Sequence, residues 1–314
     1  MDRVETPEII GIPASGGAAL RDTDEVDLTP IRTYWQLTRQ RFVRHRLAVI
    51  ALFTLLALIV FAIVVPLATG DAYKDPDLAK IGAPATLEAP LGYDAIGQNL
   101  FVRLAKATQT SLIIGFAAVM IIVGIGTFIG AIAGYAGGWV DNVLMRFVDI
   151  VLSLPVLFII LMIVSFFGVG DVRVVIIAIG ITGWTLAARL IRAEFLALRE
   201  ADFVQAARAL GASHRRIIVR HMLPSAMAPL IVAAALGVAD SVITEAALSF
   251  LGFGISPPEA SLGNLLNYAQ DRLFREPILI FFPGSVLVLL VLCASFLGDG
   301  LRDALDPRQR IATS

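Results

Sequence analysis

The stretch of this sequence richest in groups that could do chemistry is residues 202–224, DFVQAARALGASHRRIIVRHMLP, set between two hydrophobic segments. Its residue types suit docking better than catalysis. Asp202 is placed to cap a helix starting at Phe203, with Gln205 three residues on in a capping-box arrangement. Gly211 falls just past the end, where left-handed backbone is needed. The predicted helix, 203–210, is about 12 Å long. Isolated helices this short are marginal in water, so it needs a surface to dock on. Phe203, Ala207 and Leu210 share one stripe, and Ala206 is small enough for close approach. Arg215, Arg216 and Arg220 follow and read as membrane-surface anchors.

Other reactive groups are sparse. Lys74, Lys80 and Lys106 are the only lysines and none follows a glycine, so the chain has no Walker A loop and is not itself a P-loop ATPase. His45, His214 and His221 have no carboxylate or cysteine company and make a poor metal site. No Gly-x-Ser-x-Gly elbow and no His-Glu-x-x-His occurs. Cys293 is the single cysteine, which excludes an intrachain disulfide. Asp240 and Glu245 are the main acidic residues within an apolar run, and they are the candidate pathway residues.

The elements that must position these groups are set by composition. The 314 residues are 57% hydrophobic and 16% charged, against roughly 25% charged in a soluble domain. Several windows lack charge over membrane-spanning lengths, which predicts an all-α polytopic membrane protein. Six spans are expected near 47–69, 108–134, 147–170, 174–192, 222–245 and 278–298, forming one domain over 47–298. Residues 1–46 form an acidic, Gly- and Pro-rich tail followed by an arginine-rich interfacial segment with Trp35 and Phe42; residues 299–314 form a second tail. Residues 71–106 and 246–277 read as long external segments. The six-span count puts 18 of the 25 lysines and arginines on one side, which makes that side cytoplasmic and places both termini and the 203–210 helix there. Arg189 and Arg192, closing the fourth span, read as snorkelling or exposed cations. Gly126 and Gly130 form a small-xxx-small pair for close helix packing. Secondary carriers usually place ionisable groups at mid-membrane, and their scarcity here argues that energy arrives from outside the spans.

Residues 205–224 resemble the cytoplasmic signature of permease subunits of ATP-binding-cassette importers: Glu-Ala-Ala, three residues, Gly, nine residues, Ile-x-Leu-Pro. Here it reads Gln205-Ala206-Ala207, Gly211 and His221-Met222-Leu223-Pro224, with full spacing but Gln for Glu and His for Ile. The stretches LGYDAIGQNLFVRL (91–104), AGYAGGWVDNVLMRFVDIVLSLP (133–155), EAALSFLGFGISPPEASLGNLL (245–266) and LGDGLRDALDPR (297–308) are similar to the peptide and nickel importer branch, most of all to its second permease subunit.

The resemblance implies a type I importer permease fold: six transmembrane helices with a cytoplasmic coupling helix. It also implies a second homologous permease, two cytoplasmic ATPase subunits that bind ATP and magnesium, and an extracytoplasmic binding protein that delivers di- or oligopeptides. The chain itself would bind no cofactor or metal, hydrolyse nothing and engage no nucleic acid, sitting in a bacterial or archaeal cell membrane (the inner one in a Gram-negative cell). Asp202, Phe203, Gln205, Ala206, Ala207, Leu210, Gly211, Leu223 and Pro224 are then the ATPase-coupling residues. A glutamine keeps the acceptor needed at N3 and drops the negative charge, worth roughly 0.3–1 kcal/mol at an exposed helix start. Two alternatives stand beside peptide import: the same machinery carrying nickel, glutathione or another small solute, and an ATP-independent channel or secondary carrier.

Overall fold

A computed structural model describes residues 34–305 apart from residues 75, 82, 84 and 95. The tail expected over residues 1–30, and the last residues of the C-terminal one, lie outside the described residues. Helix α1 (Tyr34–Arg44) leads into α2 (Arg46–Thr69), whose first turn is capped by the His45 ring accepting from the Ala48 amide. Helix α3 (Leu100–Ala136) begins at Asn99, whose side chain accepts from the amides of Phe101 and Val102. It starts earlier than the expected span at 108, because Arg103 and Lys106 interrupt the apolar run without interrupting the helix. Gly137, with φ of 64°, ends it.

The third expected span, 147–170, is not one straight helix. Helix α4 (Gly138–Ser153) stops at Leu154, and α5 (Val156–Phe167) leaves at 83° to it. The residue before a proline is pushed out of the helical region, and Leu154, before Pro155, has φ −92° and ψ 140°. Helix α6 (Val172–Arg199) starts at Asp171, which accepts from the Arg173 amide at 2.8 Å, and it outruns its expected end at 192 by two turns. After it come α7 (Asp202–Ala209), a single turn α8 (His214–Arg216), a π-type segment Ile217–Met222 and α9 (Leu223–Phe250). Helix α10 (Leu262–Ala269) and α11 (Ile278–Leu305) complete the chain. Among the described residues, five helices are long and apolar enough to cross a membrane, and the bent α4–α5 pair makes a sixth crossing if it counts as one span.

Helix α3 is the axis on which the others pack, and its glycines set how closely. A Cβ added at Gly126 would lie 2.5 Å from the Ala187 Cβ, and one at Gly134 would lie 2.6 Å from the Phe195 Cβ. Between them Gly130 faces the Ala188 carbonyl. The small-residue pair therefore does bring two backbones together, those of α3 and α6. Across the bundle the core is apolar and buried, while Phe53, Leu67, Phe128, Met162 and Phe166 point outward, as lipid-facing side chains do.

Candidate functional site

Helix α7 is held at both ends, but its start is not held by the bonds its sequence predicts. Ala201, not Asp202, is the N-cap, and no side chain caps the start. Asp202 occupies the first helical position, one place inside the expected boundary, where its charge still lies in the first turn. The reason is burial. Val204 is 0% exposed among Ile191 and Phe195 of α6 and Ile217 and Met222 of the π segment, and pointing it inward fixes the rotation of the whole helix. Gln205 then reaches back rather than capping: its amide donates to the Arg199 carbonyl at 3.2 Å, satisfying an orphan group at the end of α6. A glutamate could not donate there. The residue type that departs from the importer signature has its own job in this chain.

The C-terminal end matches expectation. Gly211 has φ of 79°, the Ala212 amide donates to the Ala207 carbonyl and the Gly211 amide to that of Arg208, both at 3.0 Å. This is a Schellman ending. The two faces of α7 are unlike. Val204 and half-buried Ala207 pack on the protein's own helices, so Ala207 is not part of an open stripe. Phe203, Ala206 and Leu210 are exposed, Leu210 to 88%. Leu223 packs into the same cluster as Val204, and Pro224 is exposed.

Pro224 also explains the π segment. Proline has no amide to offer the carbonyl four residues back, and its ring crowds that carbonyl. The turn before it is wound wider, with the Leu223 amide donating to Ile218 five residues back and the Ser225 hydroxyl to the His221 carbonyl at 2.9 Å. Nearby, the Tyr135 hydroxyl meets the His214 ring nitrogen at 2.5 Å and ties the end of α3 to α8.

Arg189 and Arg192 are paired rather than merely snorkelling. Arg192 forks onto Asp141, with 2.6 Å between Nη2 and Oδ2, and Arg189 reaches Asp149 at 2.5 Å. Both carboxylates lie on α4, eight residues apart, so two ion pairs staple α4 to α6. The sequence carries that signal as two acids and two arginines on neighbouring apolar helices, legible only once the helices are known to touch.

Asp240 and Glu245, one and a half turns apart on α9, have opposite fates. Glu245 is 0% exposed and accepts from Ser111 of α3 and from Ser249, each at 2.7 Å. Ser111 in turn accepts from the Leu262 amide, and Ser261 and Asn264 close a capping box at the start of α10. Glu245 is therefore sealed inside a polar knot joining α3, α9 and α10. Asp240 is exposed, and it lines a cavity of about 470 Å3 between α3, α5, α6 and α9.

A buried ion pair within the 91–104 stretch has no signal in the sequence. Arg103, 2% exposed, donates to Asp94, which also accepts from the amides of Ile96 and Gln98. Tyr73 donates to Glu259 at 3.2 Å; burial first, and then the Glu259 charge, raise this hydroxyl above its ordinary pKa and keep it a donor. Among the described residues no cluster of three histidine, cysteine, aspartate or glutamate side chains could hold a metal ion.

Comparison with known proteins gives the family. Residues 126–311 match the family described as the binding-protein-dependent transport system inner membrane component, and residues 33–90 match the N-terminal TM domain of oligopeptide transport permease C. The oligopeptide transport system permease protein OppC of Mycobacterium tuberculosis H37Rv is 41% identical over 87% of this chain and 94% of its own length. The protein of the same name from Escherichia coli K12 is 38% identical over 89% and 93%. Among solved structures, an inward-facing form of the MetNI methionine ABC transporter aligns with a TM-score of 0.54 at 20% identity, over 65% of this chain and 96% of that one. The chain belongs to the binding-protein-dependent transport system inner membrane components: it is an ABC importer permease with the type I fold, a multi-pass membrane protein and not the ATPase of its system.

Proposed function

We propose that this importer permease carries di- or oligopeptides across the cell membrane, handed over by an extracytoplasmic binding protein and driven by two ATPase subunits docked beneath it and a second, homologous permease. Both termini and α7 face the cytoplasm in this reading, supported by the excess of lysine and arginine on that side. Peptide as cargo is supported by relatives named as oligopeptide permeases.

The observation that carries the coupling role is the division of α7 into two faces. Val204 roots the helix in the bundle, while Phe203, Ala206 and Leu210 stand clear of it as an apolar stripe on a helix too short to be stable alone. An ATPase groove would cover that stripe. Asp202 adds a negative charge at the helix start, Gln205 pins the helix to α6, and Gly211 sets its exit angle. Displacement of α7 on ATPase closure would then pass to α6 through Val204 and to α9 through the π segment, Leu223 and Pro224. This is a bistable element whose equilibrium ATP biases.

The test is reconstitution of the four membrane and ATPase subunits in liposomes. Uptake of a labelled tripeptide is expected only with ATP and peptide-loaded binding protein, and Phe203→Ala with Leu210→Ala should uncouple hydrolysis from uptake. Uptake that proceeds without ATP would sink the reading in favour of a channel or secondary carrier.

A further inference from the structure

An acidic side chain without a partner is expensive inside a membrane and marks a functional position. Asp141, Asp149 and Glu245 all have partners. Asp240 lies about 15 Å from the outer end of α9 at the helical rise, and no lysine, arginine or histidine lines its cavity. Among the described residues no donor is bonded to its carboxylate, although its backbone carbonyl accepts from Thr244. The rest of the wall is apolar apart from Thr182, Thr185, Ser241 and Thr244.

The hydroxyls add a second, independent indication of sign. Thr182 donates to the Ala178 carbonyl at 2.8 Å and Thr244 to the Asp240 carbonyl at 2.7 Å. Each has spent its one proton on its own helix, so what it can still offer a solute is lone pairs. Two of the four hydroxyls in this wall are thus left as acceptors, and its one charge is negative. The wall suits a hydrogen-bond-donating cation and repels a carboxylate. The cavity is poor in water-like groups, which strengthens the attraction between opposite charges.

We propose that Asp240 holds a cationic group of the translocated peptide, its terminal ammonium or a basic side chain, while the peptide crosses this cavity. The inference rests on the peptide-import function proposed above and adds a residue and a charge rule to it. Glu245, sealed behind Ser111 and Ser249, takes no part in that contact and instead fixes the helix that carries Asp240.

The test uses the reconstituted full complex with binding protein loaded beforehand with each peptide. Initial uptake is measured for a lysine-containing tripeptide against its norleucine counterpart, and for a free against an acetylated N-terminus, each rate divided by the amount of loaded carrier. Asp240→Asn should lower one of the two ratios about tenfold, and the ratio that moves identifies the cation; Asp240→Glu should restore it. Ratios are independent of complex yield, and Asp240→Ser serves as a second variant if the asparagine form assembles poorly. Ratios that both variants leave unchanged, with lower complex yield, would mean that Asp240 pairs with the second permease and would overturn the inference alone. A wild-type complex that moves none of these peptides overturns the peptide reading and the inference with it.

Discussion

The two ends of α9 are held by opposite chemistry. At the α10 end Glu245 gathers Ser111 and Ser249, and Ser261 and Asn264 cap each other, so the buried polar groups are satisfied within the chain. At the α7 end the buried contacts are apolar, around Val204, Ile217 and Met222, the polar ones at Gln205 and His214 lie exposed, and a second apolar surface at Phe203 and Leu210 is left uncovered. Hydrogen bonds between fixed partners have one good geometry, whereas apolar faces can slide and be re-covered. The contrast teaches that one end is closed by this chain's own polar groups while the other keeps an apolar surface open.

The contrast can be broken or sharpened by substitution. The largest effect is expected from Glu245→Ala, which strands two buried hydroxyls at about 1–3 kcal/mol each. Thermal unfolding in detergent should show a clear loss, with Glu245→Gln losing less because an amide can still accept one of the two bonds. A Glu245→Ala protein of unchanged melting temperature would show that the knot is not what holds this end. Val204→Ala should follow at roughly 1–3 kcal/mol, and it should cut peptide-stimulated ATP hydrolysis as well as stability. Phe203→Ala should leave the melting temperature of the isolated permease within about 0.5 kcal/mol equivalents yet weaken ATPase capture in a pull-down. Equal effects of these two on stability would erase the difference between the faces of α7.

Gln205→Glu is expected to cost about 0.5–1.5 kcal/mol, since a carboxylate cannot donate to the Arg199 carbonyl; amide exchange in α7 would detect it as faster opening. Smallest is Asp202→Ala. With no capping bond to lose, only its attraction to the helix start goes, about 0.3–1 kcal/mol, and the loss should fade at high salt. A salt-independent effect larger than that of Gln205→Glu would restore Asp202 as a cap.

Much of the fold was legible because it depends on local properties. Charge-free length marked the long helices, Gly211 marked the end of α7, and the four-residue spacing of Gly126 and Gly130 marked a close contact. The misreadings share a cause: each depended on something distant in the chain. Asp202 lost its cap role because Val204 must face residues from α6 and the π segment. Arg103 sits in a helix rather than a loop because Asp94 neutralises it from outside that helix. Arg189 and Arg192 could not be assigned partners before α4 was known to lie against α6. Glu245 and Asp240 look alike in sequence, and only the position of Ser111, 134 residues away, separates them.

The wide turn at Ile217–Met222 has a mechanical consequence. A turn that bonds five residues back instead of four stores surplus contour length in the backbone. Pulled along its axis, such a turn can rewind to ordinary pitch and release that surplus as rotation, so a push delivered at one end arrives at the other as a twist. Between a short lever, α7, and a long shaft, α9, such a turn would convert stroke into torque under the coupling proposed above. The shaft it would turn is the one that carries Asp240 into the cavity wall.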